Sequence, residues 1–287
     1  MLSFFFSIYV AVSSVFCGCH SEKKIMKERI VKATLCGKYS SPVIEPSGLE
    51  AINEEDTSEV WTINDSGSES YLWSSSQNGK TTGKILLEGC RNFDWEDLAK
   101  DDSGRIYIGD FGNNLNLRKE LLIYRIMPIN LDYKKLIIDS IVFHFAEQRS
   151  FPPRRRERNF DCEAFFYFND TLFLFTKNRG INWVRLYKIP AKPGNYTVAS
   201  QDSIYLKSMI TSADISEDKK WVALLSYGKI YFIKLLQHKE ILKNPVYCQP
   251  FRHGQTESIL FLKSGDLLVS NEAGKIWRLK WRGELME

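Results

Sequence analysis

The stretch from residue 93 to residue 110 reads FDWEDLAKDDSGRIYIGD and combines two short segments that favour β-strands with a turn between them. The first segment begins with acidic and aromatic residues and continues into Leu98-Ala99. A turn is expected at Asp102-Ser103-Gly104, because Asp, Ser and Gly are residues that tight turns prefer. Ile106-Tyr107-Ile108 then supplies the β-branched and aromatic side chains typical of a strand. We therefore predict a strand, a turn and a second strand.

The same unit recurs along the chain, with almost no helical periodicity beyond residue 40. Each unit starts with one acidic residue followed by apolar residues; these acids are Glu50, Glu96, Glu163, Asp214 and Glu257, spaced by 46, 67, 51 and 43 residues. Four-stranded propeller blades repeat with about this period, roughly 40–50 residues. We predict an all-β chain that forms a single β-propeller of five blades, or of six if the 67-residue interval contains a further sheet. A strand near residues 30–35 is expected to complete the last blade and close the ring.

Composition excludes several broad classes of protein. Of the 287 residues, 44% are hydrophobic and 26% are charged, which is ordinary for a globular protein and excludes wholesale disorder. The formal net charge of +4 is too balanced to indicate nucleic-acid binding. We expect no nucleic-acid partner, and expect the propeller to be monomeric.

The amino-terminal segment is expected to direct export. Residues 1–18 contain no Lys, Arg, Asp or Glu and have about the length of a signal peptide. Gly18 followed by Cys19 resembles a bacterial lipoprotein processing site, which implies lipidation of Cys19 and anchoring of the exported chain to a membrane of the cell envelope. The alternative is a plain secretory signal and a secreted or periplasmic protein. We therefore divide the chain into a signal peptide (1–18), an anchor-proximal segment with the closing strand (19–40) and the propeller domain (41–287).

Four further cysteines would remain after such processing and lipidation: Cys36, Cys90, Cys162 and Cys248. They form no Cys-x-x-Cys pair and have no histidine at metal-ligand spacing, which argues against a zinc site. One disulfide could form, and the sequence does not indicate which residues it would join.

The acids at the blade starts are expected to face the central channel, because the first strand of every propeller blade lines it. Five carboxylates at one level would repel one another and raise their pKa values unless a cation lay among them. Several oxygen ligands suit a hard ion such as Ca²⁺. We predict a Ca²⁺ site formed by the five blade-start acids. The alternative is that the acids are solvated or hold neighbouring blades together through backbone hydrogen bonds.

The blade-start acids resemble those of the calcium-activated apyrases, which are five-bladed propellers with Ca²⁺ in the channel. The likeness rests on the order of the acids and on the stretches 94–99, 105–112 and 257–261. Asp214 departs from the pattern, and Ser212 is the alternative ligand in that blade. The chain is also similar to bacterial propeller proteins distantly akin to phytase-like and strictosidine-synthase-type propellers. The resemblance implies a propeller fold with a channel cation.

Polar loops are expected to gather at one end of the channel, where binding residues often lie on a rigid scaffold. Asp65 and Asp110 are candidate catalytic bases, and the candidate substrate-binding residues are Asn113, Arg118, Arg154, Lys177, Arg179, Tyr227 and Glu272. Arg154 belongs to a basic run just before Glu163, and guanidinium groups bind phosphate oxygens in a bidentate manner. The alternatives are turn-forming residues, a solvated charge run, or a basic patch that meets anionic lipid.

Three functions follow from these observations. The first is a channel-Ca²⁺ protein that binds or hydrolyses a small anionic molecule, such as a phosphoester or phosphoanhydride. The second is a non-catalytic envelope binding protein or scaffold whose ion is structural. The third is a metal-dependent lactonase or esterase.

Overall fold

The computed structural model describes Cys19 and residues 32–53, 58–129, 132–177 and 181–281. The strands are β1 Lys32–Lys38, β2 Pro46–Ala51, β3 Glu59–Asn64, β4 Tyr71–Ser76, β5 Thr81–Leu86, β6 Trp95–Lys100, β7 Ile106–Asp110, β8 Leu121–Ile129, β9 Asp132–Phe145, β10 Cys162–Phe168, β11 Thr171–Thr176, β12 Trp183–Pro190, β13 Gly194–Val198, β14 Asp202–Tyr205, β15 Ile210–Ile215, β16 Trp221–Ser226, β17 Gly228–Lys234, β18 Val246–Phe251, β19 Thr256–Phe261, β20 Leu267–Asn271 and β21 Lys275–Lys280. Short 3₁₀ helices span Arg155–Glu157 and Ile241–Lys243.

These strands form five sheets, which are the five blades of a β-propeller, as the repeat predicts. From the inside outwards the blades are β2-β3-β4-β5, β6-β7-β8-β9, β10-β11-β12-β14, β15-β16-β17-β18 and β19-β20-β21-β1. The fifth blade takes its outer strand from the amino-terminal side of the chain: β1 pairs antiparallel with β21 from Lys32 opposite Lys280 to Lys38 opposite Lys275. The predicted closing strand is therefore confirmed.

The 67-residue interval belongs to the second blade and does not contain a sixth one. Strands β8 and β9 form a long hairpin, in which the guanidinium of Arg125 pairs with Asp139 at 2.6 Å. Strand β13, which leaves the third blade between β12 and β14, adds to the outer edge of this hairpin in parallel with β9. The extra length of the interval therefore goes into this hairpin, whereas β13, which follows the interval in the chain, widens the blade by one strand.

The apolar core is divided among the junctions between neighbouring blades. Each of five buried clusters draws its residues from two adjacent blades, so that together they form a closed ring. At the junction of the second and third blades, for example, Phe111 packs edge-on against Phe165 with the ring centroids 5.2 Å apart. The high aromatic content of the sequence thus fills the space between the blades.

The first strand of every blade carries a β-bulge, and this bulge sets which side chains share a level in the channel. We call the end at which these first strands begin the upper face. The residue left unpaired at the bulge is, in blade order, Gly48, Glu96, Glu163, Thr211 and Glu257. An extra residue changes which side chains point to one face.

The bulges correct the expectation of five acids at one level. Glu96, Glu163 and Glu257 occupy equivalent bulge positions near the upper face. Glu50 lies two residues beyond the bulge of its strand and Asp214 three residues beyond its own. These two acids therefore lie closer to the lower end of the channel.

The amino-terminal predictions fall mostly outside the described residues, because the signal segment 1–18 is not among them. Cys19 is described, and its Sγ forms a disulfide bond with Cys248 in β18. The Sγ atom of Cys19 can carry either this bond or a lipid, but not both. Among the described residues, no helix has the length and apolar character needed to cross a bilayer.

Candidate metal centre at the upper channel mouth

Five carboxylates converge at the upper end of the channel, in two groups that share one residue. Oxygen atoms of Asp65, Asp94 and Glu96 lie within 4.8 Å of one another, and so do oxygen atoms of Glu96, Asp161 and Glu163. Asp65 follows β3 of the first blade, and the other four acids flank the starts of β6 and β10. We call these five residues the carboxylate cluster; it brings together three of the residues predicted from the sequence.

Asp94 and Asp161 were not assigned as ligands from the sequence, although a repeated pattern marks them. The second and third blades begin with Phe-Asp-x-Glu, at residues 93–96 and 160–163. Each Asp lies immediately before its strand and two residues before the Glu. Side chains two residues apart lie on the same side of extended backbone, so Asp and Glu approach the channel as a pair.

Asp110 and Arg118 support the cluster. The Asp110 carboxylate accepts hydrogen bonds from the backbone amides of Phe93 at 3.4 Å and Asp94 at 3.2 Å. It also forms a 2.9 Å ion pair with Nη1 of Arg118. Nη1 donates in addition to the carbonyl oxygen of Gly112, and Nη2 donates to that of Asp110. Asp110 is fully buried. Its carboxylate is thus engaged in holding Asp94 in place, an arrangement that does not suit the general base predicted from the sequence.

Asn113 orients the other side of the cluster. Its backbone amide donates to Oδ1 of Asp161 at 2.7 Å, and its side-chain amide donates to the carbonyl oxygen of Phe160 at 3.1 Å. Its Oδ1 accepts from the backbone amide of Arg118 at 3.0 Å. Asn113, predicted as a substrate ligand, therefore positions Asp161 and the neighbouring loop.

Lys177 places a positively charged ammonium group beside the cluster. Its Nζ pairs with Oε2 of Glu163, and it lies 5.3 Å from the ring centre of Tyr227. The Tyr227 hydroxyl donates to Oε1 of Glu257 at 3.0 Å. Lys177, Tyr227 and Glu257, all singled out from the sequence, thus form a connected group next to Glu163.

The crowding of negative charge raises the pKa values of the acids. Burial, followed by the charges of Glu163 and Asp94, raises the pKa of Glu96 well above its usual range. Burial and the charges of Asp161 and Asp65 raise the pKa of Asp94 to about 7, against the opposing effect of Arg118. A cation bound among these oxygens would favour their ionised forms.

The pKa values of Glu257 and Glu272, on the other side of the mouth, are also raised. Burial raises the pKa of Glu257 to about 7, although Lys177 and the Tyr227 hydroxyl act in the opposite direction. Burial and the charges of Glu45 and Asp65 raise the pKa of Glu272, which is half-buried. The mouth therefore has a surplus of carboxylates over nearby cations.

The residues present fit a hard divalent cation. All five ligand candidates offer carboxylate oxygen, which suits Ca²⁺, Mg²⁺ or Mn²⁺ better than softer metals. Gly112 closes one side of the cluster: a Cβ atom built on it would stand 2.1 Å from Oε1 of Glu96 and 2.4 Å from Oδ2 of Asp94. The backbone at this position thus leaves room for the carboxylates only because it bears no side chain.

The remaining predicted residues lie elsewhere. Arg154 is exposed on the upper face at the amino end of the 155–157 helix, and Arg179 lies outside the described residues. Glu50 and Asp214 line a cavity of about 100 Å³ at the lower end of the channel. Burial and the charge of Glu50 raise the pKa of Asp214 to about 8. These two acids are neighbours of each other and form no part of the carboxylate cluster.

Sequence comparison finds neither a matching protein-family model nor a curated protein similar to this chain. Structure comparison finds propellers. A gluconolactonase from Xanthomonas campestris superposes on 88% of this chain and 90% of its own with a TM-score of 0.51 at 11% identity. A proposed gluconolactonase superposes on 89% of this chain and 93% of its own with a TM-score of 0.52 at 8% identity. These similarities establish a shared propeller fold; the likeness to apyrases and phytases gains no support from them.

Proposed function

We propose that this protein is a hydrolase that depends on a divalent cation, with a lactone or related ester as its substrate. The observation that carries the proposal is the carboxylate cluster, in which Glu96 belongs to both groups of mutually close oxygens. Oxygen-only ligands of this number fit Ca²⁺, which the sequence also indicates. An ion bound there would act as a Lewis acid on the carbonyl oxygen of the substrate.

The chain's own residues would complete the chemistry. Lys177, whose ammonium group is buried in the mouth and pairs with Glu163, would add positive charge near the carbonyl oxygen as negative charge develops there. Glu257 would accept a proton from the attacking water and return it to the leaving oxygen when the acyl C–O bond breaks, and the hydroxyl of Tyr227 would hold its carboxylate in position. Asp110, Arg118 and Asn113 would keep the carboxylate cluster preorganised.

The choice of a lactone rests on fold-level analogy with the two solved gluconolactonase structures. At 8–11% identity the analogy supports a reaction class, not a particular substrate. A sugar lactone and a lactone with an aliphatic chain are therefore both candidates.

A second candidate is the hydrolysis or binding of a phosphoester or phosphoanhydride. The observation that favours it is positive charge at the upper face, where Lys177 lies in the mouth and Arg154 is exposed. A cation together with Lys and Arg side chains is a usual arrangement for phosphate oxygens. A non-catalytic propeller with a structural ion is the third candidate.

The test begins with metal content. The chain is dialysed against a chelator and titrated calorimetrically with Ca²⁺, Mg²⁺ and Mn²⁺, then assayed on aliphatic lactones, sugar lactones, aryl phosphates and nucleoside diphosphates. Glu96→Gln removes the shared ligand charge and should weaken metal binding and turnover by at least about tenfold. Glu50→Gln is the matched control, because Glu50 is also a buried acid in a first strand but lies towards the lower end.

Each outcome selects among the candidates. Lactone turnover that is lost in Glu96→Gln and kept in Glu50→Gln supports the proposal. Phosphate release with the same pattern supports the second candidate, and metal binding without turnover supports the structural ion. If the chain binds no divalent cation, all three candidate functions are excluded.

A further inference from the structure

The loop between β7 and β8 presents apolar side chains to solvent and buries a polar one. Leu115 is 61% exposed and Leu117 is 49% exposed, whereas Asn116 between them is fully buried. A loop that folds only against water normally shows the opposite arrangement, because burying leucine and exposing asparagine is favourable. The two leucines therefore point to a partner that covers them.

The unusual arrangement is fixed by hydrogen bonds of Asn116. Its side-chain amide donates to the carbonyl oxygen of Asn113 at 2.8 Å, and its Oδ1 accepts from the backbone amide of Phe160 at 3.0 Å. Its own carbonyl oxygen accepts from the side chain of Gln148 at 2.9 Å. Asn116 also has a positive φ of 54°, a backbone conformation that Asn tolerates better than most residues. The leucines are thus held outward by a well-anchored loop.

Other exposed apolar side chains lie on the same face. Most of the large apolar residues that are exposed in the described parts of the chain belong to the upper face: Phe93, Ile44, Leu86, Trp183 and Tyr205 join the two leucines. Phe93 is 51% exposed and directly precedes Asp94. Single exposed apolar residues need no explanation, but several on one face indicate an interaction surface.

Basic side chains surround the apolar residues of the second blade. The guanidinium of Arg91 lies 4.2 Å from the ring centre of Phe93, and Nζ of Lys119 lies 5.9 Å from that of Phe151. The arginines at 154–156 are all exposed on the 3₁₀ helix and its amino end. Two exposed acids, Glu120 and Glu157, lie among these five basic residues, so this exposed group carries a surplus of positive charge.

We name these residues the blade-2 patch: Phe93, Leu115, Leu117, Arg91, Lys119 and the arginines at 154–156. We propose that the blade-2 patch docks the upper face of the propeller on an anionic phospholipid membrane. The apolar side chains of the patch would enter the boundary between lipid headgroups and acyl chains. The surrounding Lys and Arg side chains would contact the anionic headgroups. This inference does not depend on the proposed hydrolysis.

The test is co-sedimentation of the full chain with vesicles of phosphatidylglycerol mixed with phosphatidylcholine, and with vesicles of phosphatidylcholine alone. A chelator is present, so that calcium cannot bridge protein and lipid. The vesicles of phosphatidylcholine alone carry no net charge and measure all binding that does not depend on lipid charge, including any by residues 1–18, which every variant shares. We expect stronger binding to the anionic vesicles, and a loss of that excess at high salt because surface electrostatics are screened.

Three variants locate the surface. Leu115→Ser with Leu117→Ser should weaken binding to anionic vesicles at least about tenfold, because two apolar side chains are removed. Arg154→Ser with Arg155→Ser should weaken it by about tenfold or more, from roughly 1 kcal/mol per basic residue. Leu236→Ser is the matched control, because Leu236 is 71% exposed at the lower end of the fourth blade.

Three results would overturn the proposal. The first is equal binding to the anionic vesicles and to those of phosphatidylcholine alone. The second is a Leu236→Ser variant that loses as much binding as the leucine pair, and the third concerns self-association. If anionic vesicles are not bound and the leucine pair instead abolishes self-association in sedimentation velocity, the occupant of the patch is a second copy of the chain, and the membrane proposal is wrong.

Discussion

Gly112 and Glu96 lie so close together that a methyl group on Gly112 would stand 2.1 Å from Oε1 of Glu96. Gly112 follows β7, whereas Glu96 is the bulge residue of β6, so the contact joins the loop of the second blade to its channel strand. The amide of Gly112 donates to the carbonyl oxygen of Asp94 at 3.2 Å, which keeps the loop at this distance. Any side chain at position 112 would therefore displace the carboxylates of Glu96 and Asp94.

Gly112→Ala is therefore expected to weaken binding of Ca²⁺ by at least about tenfold, because displaced ligands are the usual cause of such losses. Calorimetric titration at about pH 8, above the raised pKa of Asp94, measures this directly. Gly265→Ala is the control: its added Cβ would meet open space, but its φ of 81° makes alanine strained. The control should lose stability and keep its affinity. Equal affinities for the Gly112 variant and the wild type would contradict the proposed centre.

The metal-free protein is expected to lose stability as the pH rises. The pKa values of Asp94 and Glu257 are raised to about 7 and that of Asp214 to about 8, each mainly by burial. A carboxyl whose pKa is higher in the folded state than in the unfolded chain binds more protons when folded, so stability falls between the two values. The melting temperature in chelator should decrease from about pH 5 to about pH 8.5.

Calcium should oppose the part of this dependence that comes from the carboxylate cluster, because the cation binds the ionised carboxylates there; the contribution of Asp214, at the lower end of the channel, should remain. The increase in melting temperature on adding Ca²⁺ should therefore be larger at about pH 8.5 than at about pH 5. Glu96→Gln should reduce both effects, whereas Glu88→Gln, at an exposed position, should leave them unchanged. A melting temperature in chelator that rises with pH would refute the interpretation.

The blade architecture was predictable because each strand carries its own signal, as in Ile106-Tyr107-Ile108 after the turn at 102–104. The level of each channel acid was not predictable in the same way. The position of the bulge decides whether Gly48 or Glu50 is equivalent to Glu96. No residue type in the sequence indicates where the bulge lies. Two of the five predicted ligands consequently lie at the other end of the channel.

Only part of the carboxylate cluster was predicted, because residue type alone does not identify Asp94 and Asp161 as ligands. Asp94 and Asp161 precede their strands, where Asp is also a common turn residue, and only the repeated Phe-Asp-x-Glu distinguishes the two roles. Asp97 was overlooked because its role depends on contacts with blades that are distant in sequence. Its carboxylate accepts from its own strand and from two other blades, an arrangement that only the closed ring creates.

Asp97→Asn is expected to lower the stability of the whole ring. Oδ2 of Asp97 accepts from the backbone amides of Phe165 and Ala213, each at 3.2 Å, and Oδ1 accepts from Leu98 at 3.0 Å and from the hydroxyl of Ser212 at 3.1 Å. The amide group of Asn would direct N–H donors at other donors in a fully buried place. We expect a loss of about 3 kcal/mol.

Denaturant unfolding compares this variant with Ser212→Ala, which removes a single hydroxyl from the same network. The Ser212 variant should lose about 1 kcal/mol, because one neutral hydrogen-bonding group is lost. A smaller loss for Asp97→Asn than for Ser212→Ala would show that Asp97 does not join the three blades.

The bond between Cys19 and Cys248 ties the segment that precedes the closing strand β1 to the outer strand of the fourth blade. Because the two residues are 229 positions apart, the bond restricts the unfolded chain strongly. Cys248→Ser should cost about 2–4 kcal/mol of stability under oxidising conditions. Cys36→Ser is the control, because Cys36 is a free cysteine.

Peptide mapping without reduction decides the fate of Cys19. The structure leads us to expect a linked pair of peptides that contain Cys19 and Cys248, and equal melting temperatures for wild type and Cys248→Ser once reductant is added. A diacylglyceryl group found on Cys19 would exclude the bond, because one sulfur cannot hold both. In that case Cys248 would react with a thiol reagent on unfolding, and its substitution by Ser would leave the melting temperature almost unchanged.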